Sequence, residues 1–151
     1  MAFLPHSELV AVAWLRSIPS MLASAGTTLP KEATTWADGF LRVSIAGGRS
    51  DRDVPQHSPL LQVDVFFPNR GSGRPPWNKA NQLSEQIRAA CYPRGDDANP
   101  TQRTVTLPTG YQQARVQSAE VVTEPRRMLG DDARYALYAL DLSLTWVAVP
   151  S

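Results

Sequence analysis

The sequence is poor in the residues that build covalent or metal staples. It holds one cysteine, Cys91, and two histidines, His6 and His57, in 151 residues. A single cysteine excludes a disulfide framework within the chain, and a reducing compartment is the simpler setting. The histidines lie far apart, in segments that read as solvated loops, and neither has a partner at metal-ligand spacing. An excess of one charge is also missing, since 15 basic and 14 acidic residues leave a net charge of +1. A dedicated nucleic-acid binder would carry a basic excess or a basic stripe. No apolar run approaches the roughly 20 residues of a membrane-spanning helix. Leu9 to Leu15 is apolar and "ASAG" follows it, but no positive charge precedes the run, and Glu8 and Arg16 bracket it. A secretory signal is therefore not expected. Lysine is scarce as well: of the 15 basic residues only Lys31 and Lys79 are lysines. With abundant Ala and Pro, that bias reflects a GC-rich coding genome and says nothing of the fold.

What is present suffices for one domain over residues 1–151. A chain of this length, 42% hydrophobic and 19% charged, buries a core without staples. The last stretch, "RYALYALDLSLTWVAV", has the clearest pattern. Ala136, Tyr138, Leu140, Leu142, Leu144, Trp146 and Ala148 alternate with a set that is polar in its middle, Asp141, Ser143 and Thr145. Period-two patterning marks a strand with one face on a core. The run is long, because most strands have about 5–6 residues.

Ser7 is placed to cap a helix over residues 8–18, which Pro19 stops. That helix is apolar nearly all round and calls for burial on more than one side. Residues 20–38 read as a loop with one short strand near Met21 to Ala25. "GFLRVSIAGG" gives a strand at about 39–46, ended by Gly47-Gly48. Residues 49–59, with two prolines and no periodicity, read as a loop. "LLQVDVFF" is a strand at about 60–67, paired with the previous one as a hairpin. The turn cluster "PNRGSGRPP" leads to an amphipathic helix over 77–91 with Ala80, Leu83, Ile87 and Ala90 as its apolar stripe. A loop with a short strand at Thr104–Leu107 follows, then a strand at about 114–124 that Pro125 closes. The expected fold is α+β: a mainly antiparallel sheet of about four main strands with two helices packed on it, in the order α-β-β-α-β-β.

Candidate chemistry is sparse. Cys91, at a helix end beside an apolar stripe, reads as a buried inert thiol. The acidic pairs Asp51/Asp53, Asp96/Asp97 and Asp131/Asp132 sit in turn-like segments, where Asp serves as a turn former. "GGRSD" and "NRGSGRPP" lack the lysine and spacing of a phosphate loop. No catalytic, cofactor-binding or metal-ligating residue emerges. Asp64 and Asp141 stand apart because each falls mid-strand on a polar face. Arg42, Arg115 and Arg134 are strand residues able to pair with them across the sheet. A polar sheet face of this kind is either solvated or meets another subunit.

The order of features resembles one family. A buried first helix, "FLRVSIAGG", the charged "RSDRDVP", "LLQVDVFF", the helix "ANQLSEQIRAA" and the closing "EPRRMLGDDARYALYALDLSLTW" are similar to the tail terminator proteins of long-tailed (siphovirus-type) bacteriophages, in particular those infecting high-GC actinobacteria. The likeness runs over about residues 7–149. It is carried most by Gly47-Gly48 after the first strand, Asp64 inside "QVDV", and the passage from Pro125 to Arg134-Tyr135. It implies a structural virion protein and not an enzyme: a homohexameric ring at the head–tail junction, assembled in the host cytoplasm. Such a ring sits on the last ring of the tail tube protein, stops tube polymerisation and offers a surface to the head–tail connector or stopper protein. DNA would only pass through the lumen; no cofactor and no membrane is involved. Under this reading Asp64, Arg70, Arg74, Asp141, Ser143 and Thr145 are the candidate interface residues. The alternatives are another ring of the same junction, a stopper or adaptor, then a small ligand-binding or enzymatic α+β domain, then a nucleic-acid module.

Overall fold

A computed structural model describes residues 3–50, 56–69, 74–92, 103–128 and 134–149. The chain forms helix α1 (Ser7–Arg16), strand β1 (Ser24–Gly26), a 3-10 turn (Ala33–Trp36), β2 (Phe40–Ser50), β3 (Gln56–Pro68), helix α2 (Trp77–Ala90), β4 (Arg103–Val105), β5 (Gln113–Arg127) and β6 (Tyr135–Val149). The strands make one sheet in the order β1-β2-β3-β6-β5-β4. β1 runs parallel to β2, and the other four pairings are antiparallel.

This corrects the expected architecture. The sheet is mixed and six-stranded, curled into a half-barrel, rather than a mainly antiparallel sheet of about four strands, and the element order differs accordingly. The added members, β1 and β4, have three residues each and flank the long strands. Three residues cannot display a two-residue period, so their strand character comes from backbone pairing with a neighbour and leaves little trace in side-chain pattern. The curl has a local cause as well. Pairing shifts between Ile45 and Gly47 in β2, and at three places in β5, between Val116 and Ser118, Val121 and Thr123, and Thr123 and Arg126. Each such bulge bends its strand and raises its twist.

The β2–β3 hairpin is also longer than its composition suggests. Gly47-Gly48 does not end β2, which continues to Ser50 opposite a β3 that begins at Gln56. Gly48 has φ +95°, and a Cβ there would lie 2.5 Å from the Pro59 Cα and from the Ser58 carbonyl oxygen. Only glycine lets β2 pass the proline at that distance. His57, expected in a solvated loop, is instead a β3 residue stacked on Trp146 with ring centroids 4.2 Å apart.

Both helices pack on one face of the sheet. The core there joins Val10, Trp14 and Leu15 of α1, Leu83 and Ile87 of α2, and the alternating side chains of β2, β3, β5 and β6. The all-round apolar α1 finds burial on several sides, against β1, β2, β3 and β4. Ser7 does not cap it: His6 holds the N-cap position, and the Ser7 hydroxyl accepts a hydrogen bond from the Trp146 indole Nε1 at 3.0 Å. The first helix is thereby tied to the end of the last strand. On β6, Leu140, Leu142, Leu144 and Trp146 are buried at 1% exposure or less.

Leu142→Asp would place an unpaired carboxylate in that core at a cost of several kcal/mol, against a typical domain stability of about 5–15 kcal/mol. It is expected to yield insoluble or unfolded protein. Thr145→Asp, on the other face, is expected to leave the fold intact. Thermal melts of both variants check the assignment, and wild-type melting in both would refute it.

Cys91 caps the C-terminal end of α2 and is buried, with its Sγ donating to the Ile87 carbonyl at 3.6 Å. Burial pushes its thiol up to about 12, from an ordinary 9.0. The thiolate is the reactive form, so at pH 8 the folded protein is expected not to react with iodoacetamide. Modification should follow unfolding. Fast labelling of native protein, read by mass spectrometry, would contradict the burial.

Candidate functional site

With both helices on one face, the opposite face of the sheet is only partly covered. At one end Phe40, Phe66 and Leu137 stand side by side in register on β2, β3 and β6. The segment leading into and through the 3-10 turn lays Leu29 and Trp36 over them, and Tyr135 completes a second, small apolar cluster. Trp36 and Tyr135 both meet the Phe66 ring edge-on, at 6.3 and 5.1 Å. The Trp36 indole donates to the Pro30 carbonyl at 3.1 Å, which pins the cover in place.

The next row is Arg42, Asp64 and Ala139. Arg42 donates to Asp64 Oδ2 through Nε at 3.1 Å and Nη2 at 2.7 Å, and Gln62 donates to Oδ1 at 2.8 Å. The guanidinium also lies 5.0 Å from the centre of the Phe66 ring. Asp64 is thus 4% exposed, although no helix covers it. The cross-strand pairing expected for Asp64 is present, with Arg42 as the partner. The carboxylate is satisfied within the subunit, so Asp64 acts as an internal tie on this face.

Further along, the face turns polar and open. Ser44, Gln62, Asp141 and Thr123 form one row; Leu60, Ser143 and Glu120 form the next. Asp141 and Thr123 are half-buried, as are Ser143 and Thr145. Asp141 pairs with Arg126 at 3.6 Å, and Arg126 also donates to the Ala139 carbonyl at 3.4 Å. Ser58 and Thr145 hydroxyls stand 3.5 Å apart. The structure therefore groups Asp64, Asp141, Ser143 and Thr145 on one continuous sheet face. Arg74 is exposed in the bend three residues ahead of α2, which lies on the other face. Arg70 lies outside the described residues.

Arg126 is the polar-face residue that sequence reasoning missed. Pro125 reads as the end of β5, yet the strand runs on to Arg127. No neighbouring strand borders the outer edge of β5 at that point among the described residues, and a proline is tolerated where its missing N–H would face outward. The only available signal was the double arginine, at a spacing that returns one side chain to the polar face.

Elsewhere a cleft of about 410 Å³ opens between α1 and the stretch from Thr104 to Pro108. Its volume falls in the range of ligand sites. Its lining includes Leu9, Val12, Leu107 and Arg16 but no acid, histidine or cysteine. The Arg16 guanidinium donates to the Ala25 carbonyl at 2.7 Å. Among the described residues no group of three His, Cys, Asp or Glu side chains is placed to hold a metal. No helix among them is long and apolar enough to cross a membrane. No family model and no curated protein matches the chain.

The two ion pairs on this face differ in depth, which sets what their loss does. Arg42→Met would leave Asp64 buried with Gln62 alone, and hydrogen bonds to a charged group are worth about 1.5–3 kcal/mol. The variant is expected to be destabilised by about 2–3 kcal/mol. Replacing Asp64 as well, in an Arg42→Met/Asp64→Leu double variant, should recover most of that loss. Asp141→Asn removes a longer, more open pair and is expected to cost under about 1 kcal/mol. Urea unfolding of the four proteins checks the order. Equal losses for Arg42→Met and Asp141→Asn would remove the distinction between an internal tie and an open surface.

Proposed function

We propose that this chain is a structural ring protein of a bacteriophage head–tail junction, a tail terminator. It closes the head-proximal end of the tail tube and offers the surface to which the head's connector or stopper binds. The observation that carries the reading is the one-sided sheet. Strands of 13 and 15 residues carry the main core on one side, while the other face, beyond the small cluster around Phe66, is half-buried and hydroxyl- and charge-bearing along Asp141, Ser143 and Thr145. A sheet this extended, with a polar stretch of one face that no helix covers among the described residues, is suited to being covered by copies of itself or by a neighbour. The family resemblance over about residues 7–149 supports the same assignment.

The physical requirement for such a protein is modest chemistry and specific surfaces. Identical rings stacked head to tail form an open filament, because each added layer regenerates the surface it bound. A terminator matches that surface on one side and differs on the other. Its partners are its own copies, the tail tube protein and the connector or stopper; its place is the virion tail, and DNA meets it only in passing through the lumen. The activity is assembly rather than catalysis and calls for no cofactor.

Phage lysates lacking the protein are expected to contain tails of uncontrolled length that never join heads. Purified protein added to unterminated tails of correct length should make them head-competent and resistant to further growth. Electron microscopy of tail lengths and a plaque assay read both effects. Normal-length tails that fail only to bind heads would transfer the protein to the stopper position. Infectious particles of normal yield would overturn both readings.

A further inference from the structure

Among the described residues the sheet has two long edges without a neighbouring strand, and they occur at the same height. Within those residues β1 covers β2 at Phe40–Arg42, and β4 covers β5 at Ala114–Val116. These caps sit at opposite corners of the sheet. Between them, three consecutive rows run the full width with no neighbouring strand beyond either end among the described residues. They are Ser44–Gln62–Asp141–Thr123, Ile45–Leu61–Leu142–Val121 and Gly47–Leu60–Ser143–Glu120.

Free edges of monomeric sheets are blunted by charge, proline, bulges or cover, because their unpaired N–H and C=O groups recruit other strands. Bulges are present here, between Ile45 and Gly47 and between Val121 and Thr123. Yet each bulged edge also exposes a β-branched apolar side chain. Ile45 is 48% exposed on β2 and Val122 is 55% exposed on β5. Both lie in or beside the open middle row. Beside Val122, Glu120 is exposed, and Glu124 pairs with Arg88 of α2 at 3.0 Å.

Strand direction adds a constraint. β2 and β6 run one way, β3 and β5 the other. A second copy in the same orientation therefore brings its β2 antiparallel to β5 of the first, so the alternation continues unbroken from copy to copy. A contact between two different edges is heterologous, and a repeated heterologous contact closes into a ring when its rotation permits.

We infer that the open edge of β5, around Val122, pairs antiparallel with the open edge of β2, around Ile45, of a second copy of this chain, and that this strand addition is the lateral contact of the assembly. The inference rests on the ring reading above for its biological use, but its geometry is tested separately.

The test is cysteine cross-linking of the full chain. Strands paired antiparallel hold opposed Cα atoms about 4.5–5.5 Å apart, within disulfide range. Ile45→Cys and Val122→Cys are made singly and together. Ala46→Cys with Val122→Cys covers a one-residue shift of register. Wild type, whose Cys91 is buried, is the control. After mild oxidation a double variant is expected to give a ladder of covalent multimers. A mixture of the two single variants should give only the mixed dimer, and neither single variant alone should cross-link. A single variant that dimerises by itself would make the contact self-complementary and overturn the inference. Light scattering on the same samples separates the two levels. An oligomer that yields no ladder overturns the edge pairing and leaves the ring reading standing. A ladder from a protein whose loss leaves tails normal keeps the edge pairing and removes the terminator assignment. Ile45→Lys should reduce the mass to that of the monomer with unchanged circular dichroism; an unchanged mass would overturn the edge pairing.

Discussion

The alternation of side chains along β6 is the constraint on which the rest of the structure depends. β6 is hydrogen-bonded on both sides, to β3 and to β5, over nearly its whole length. Its backbone is fully committed, so its only freedom lies in which face each side chain takes. A slip of one residue would move Asp141, Ser143 and Thr145 into the core and Leu140, Leu142 and Leu144 into water. The register is therefore fixed by burial, and the placement of both helices follows, since one face is apolar along its length while the other is apolar only at the Phe40–Phe66–Leu137 end. The ties at the strand ends serve the same register. Trp146 is held by Ser7 from α1 and covered by His57 from β3, while Phe66 is boxed by Trp36 and Tyr135 at the other end.

How much of this the sequence displayed depended on whether an element had room to show a period. β6, the central part of β3 and both helices were legible, because each spans several repeats of its own spacing. A cross-strand arginine partner for Asp64 was legible too, with Arg42 as one of three candidates that the structure narrows to one. β1 and β4 were only hinted at, being too short for a pattern and defined by backbone bonds. The mixed character of the sheet, which depends on the direction of β1, was out of reach for that reason. The distal arm of the hairpin was hidden by residues that usually break strands. Gly47, Gly48 and Pro59 read as a boundary, yet the glycine is what allows the strand to pass the proline. Pro125 misled in the same way at the edge of β5.

The polar face is not uniform, and the difference bears on what it can do. Asp64 spends its acceptors on Arg42 and Gln62, which ties β2 to β3 and leaves that carboxylate little for a partner, whereas the Arg42 side chain is 41% exposed. Asp141, Ser143 and Thr145 are half-buried, and the contacts of Asp141 and Thr145 on this face are long, at 3.6 and 3.5 Å. Long contacts of this kind are easily exchanged for better ones when water is displaced. Sequence reasoning grouped Asp64 with Asp141 because both are acids in the middle of strands. The structure separates them by depth and distance: Asp64 is buried with Arg42 at 2.7 Å over an aromatic ring, while Asp141 is half-buried with Arg126 at 3.6 Å among hydroxyls.

The proposed ring divides the surfaces of the subunit by the kind of information they carry. Strand addition at the β2 and β5 edges would use backbone N–H and C=O groups, which every residue but proline possesses. Such a contact fixes geometry through the backbone and asks of its side chains only that they not block the edge, so it suits the lateral joint between identical copies. Axial contacts, to a tube ring on one side and a connector on the other, must distinguish two partners. That discrimination has to come from side chains, because backbone groups are the same on both sides. Using the edges laterally leaves the sheet faces, the strand ends and the turns for the axial work. A capping ring therefore needs two axial surfaces that differ, on a lateral frame that does not, and a sheet whose open β2 and β5 edges lie at one height would supply that frame while leaving its faces to tell one partner from the other.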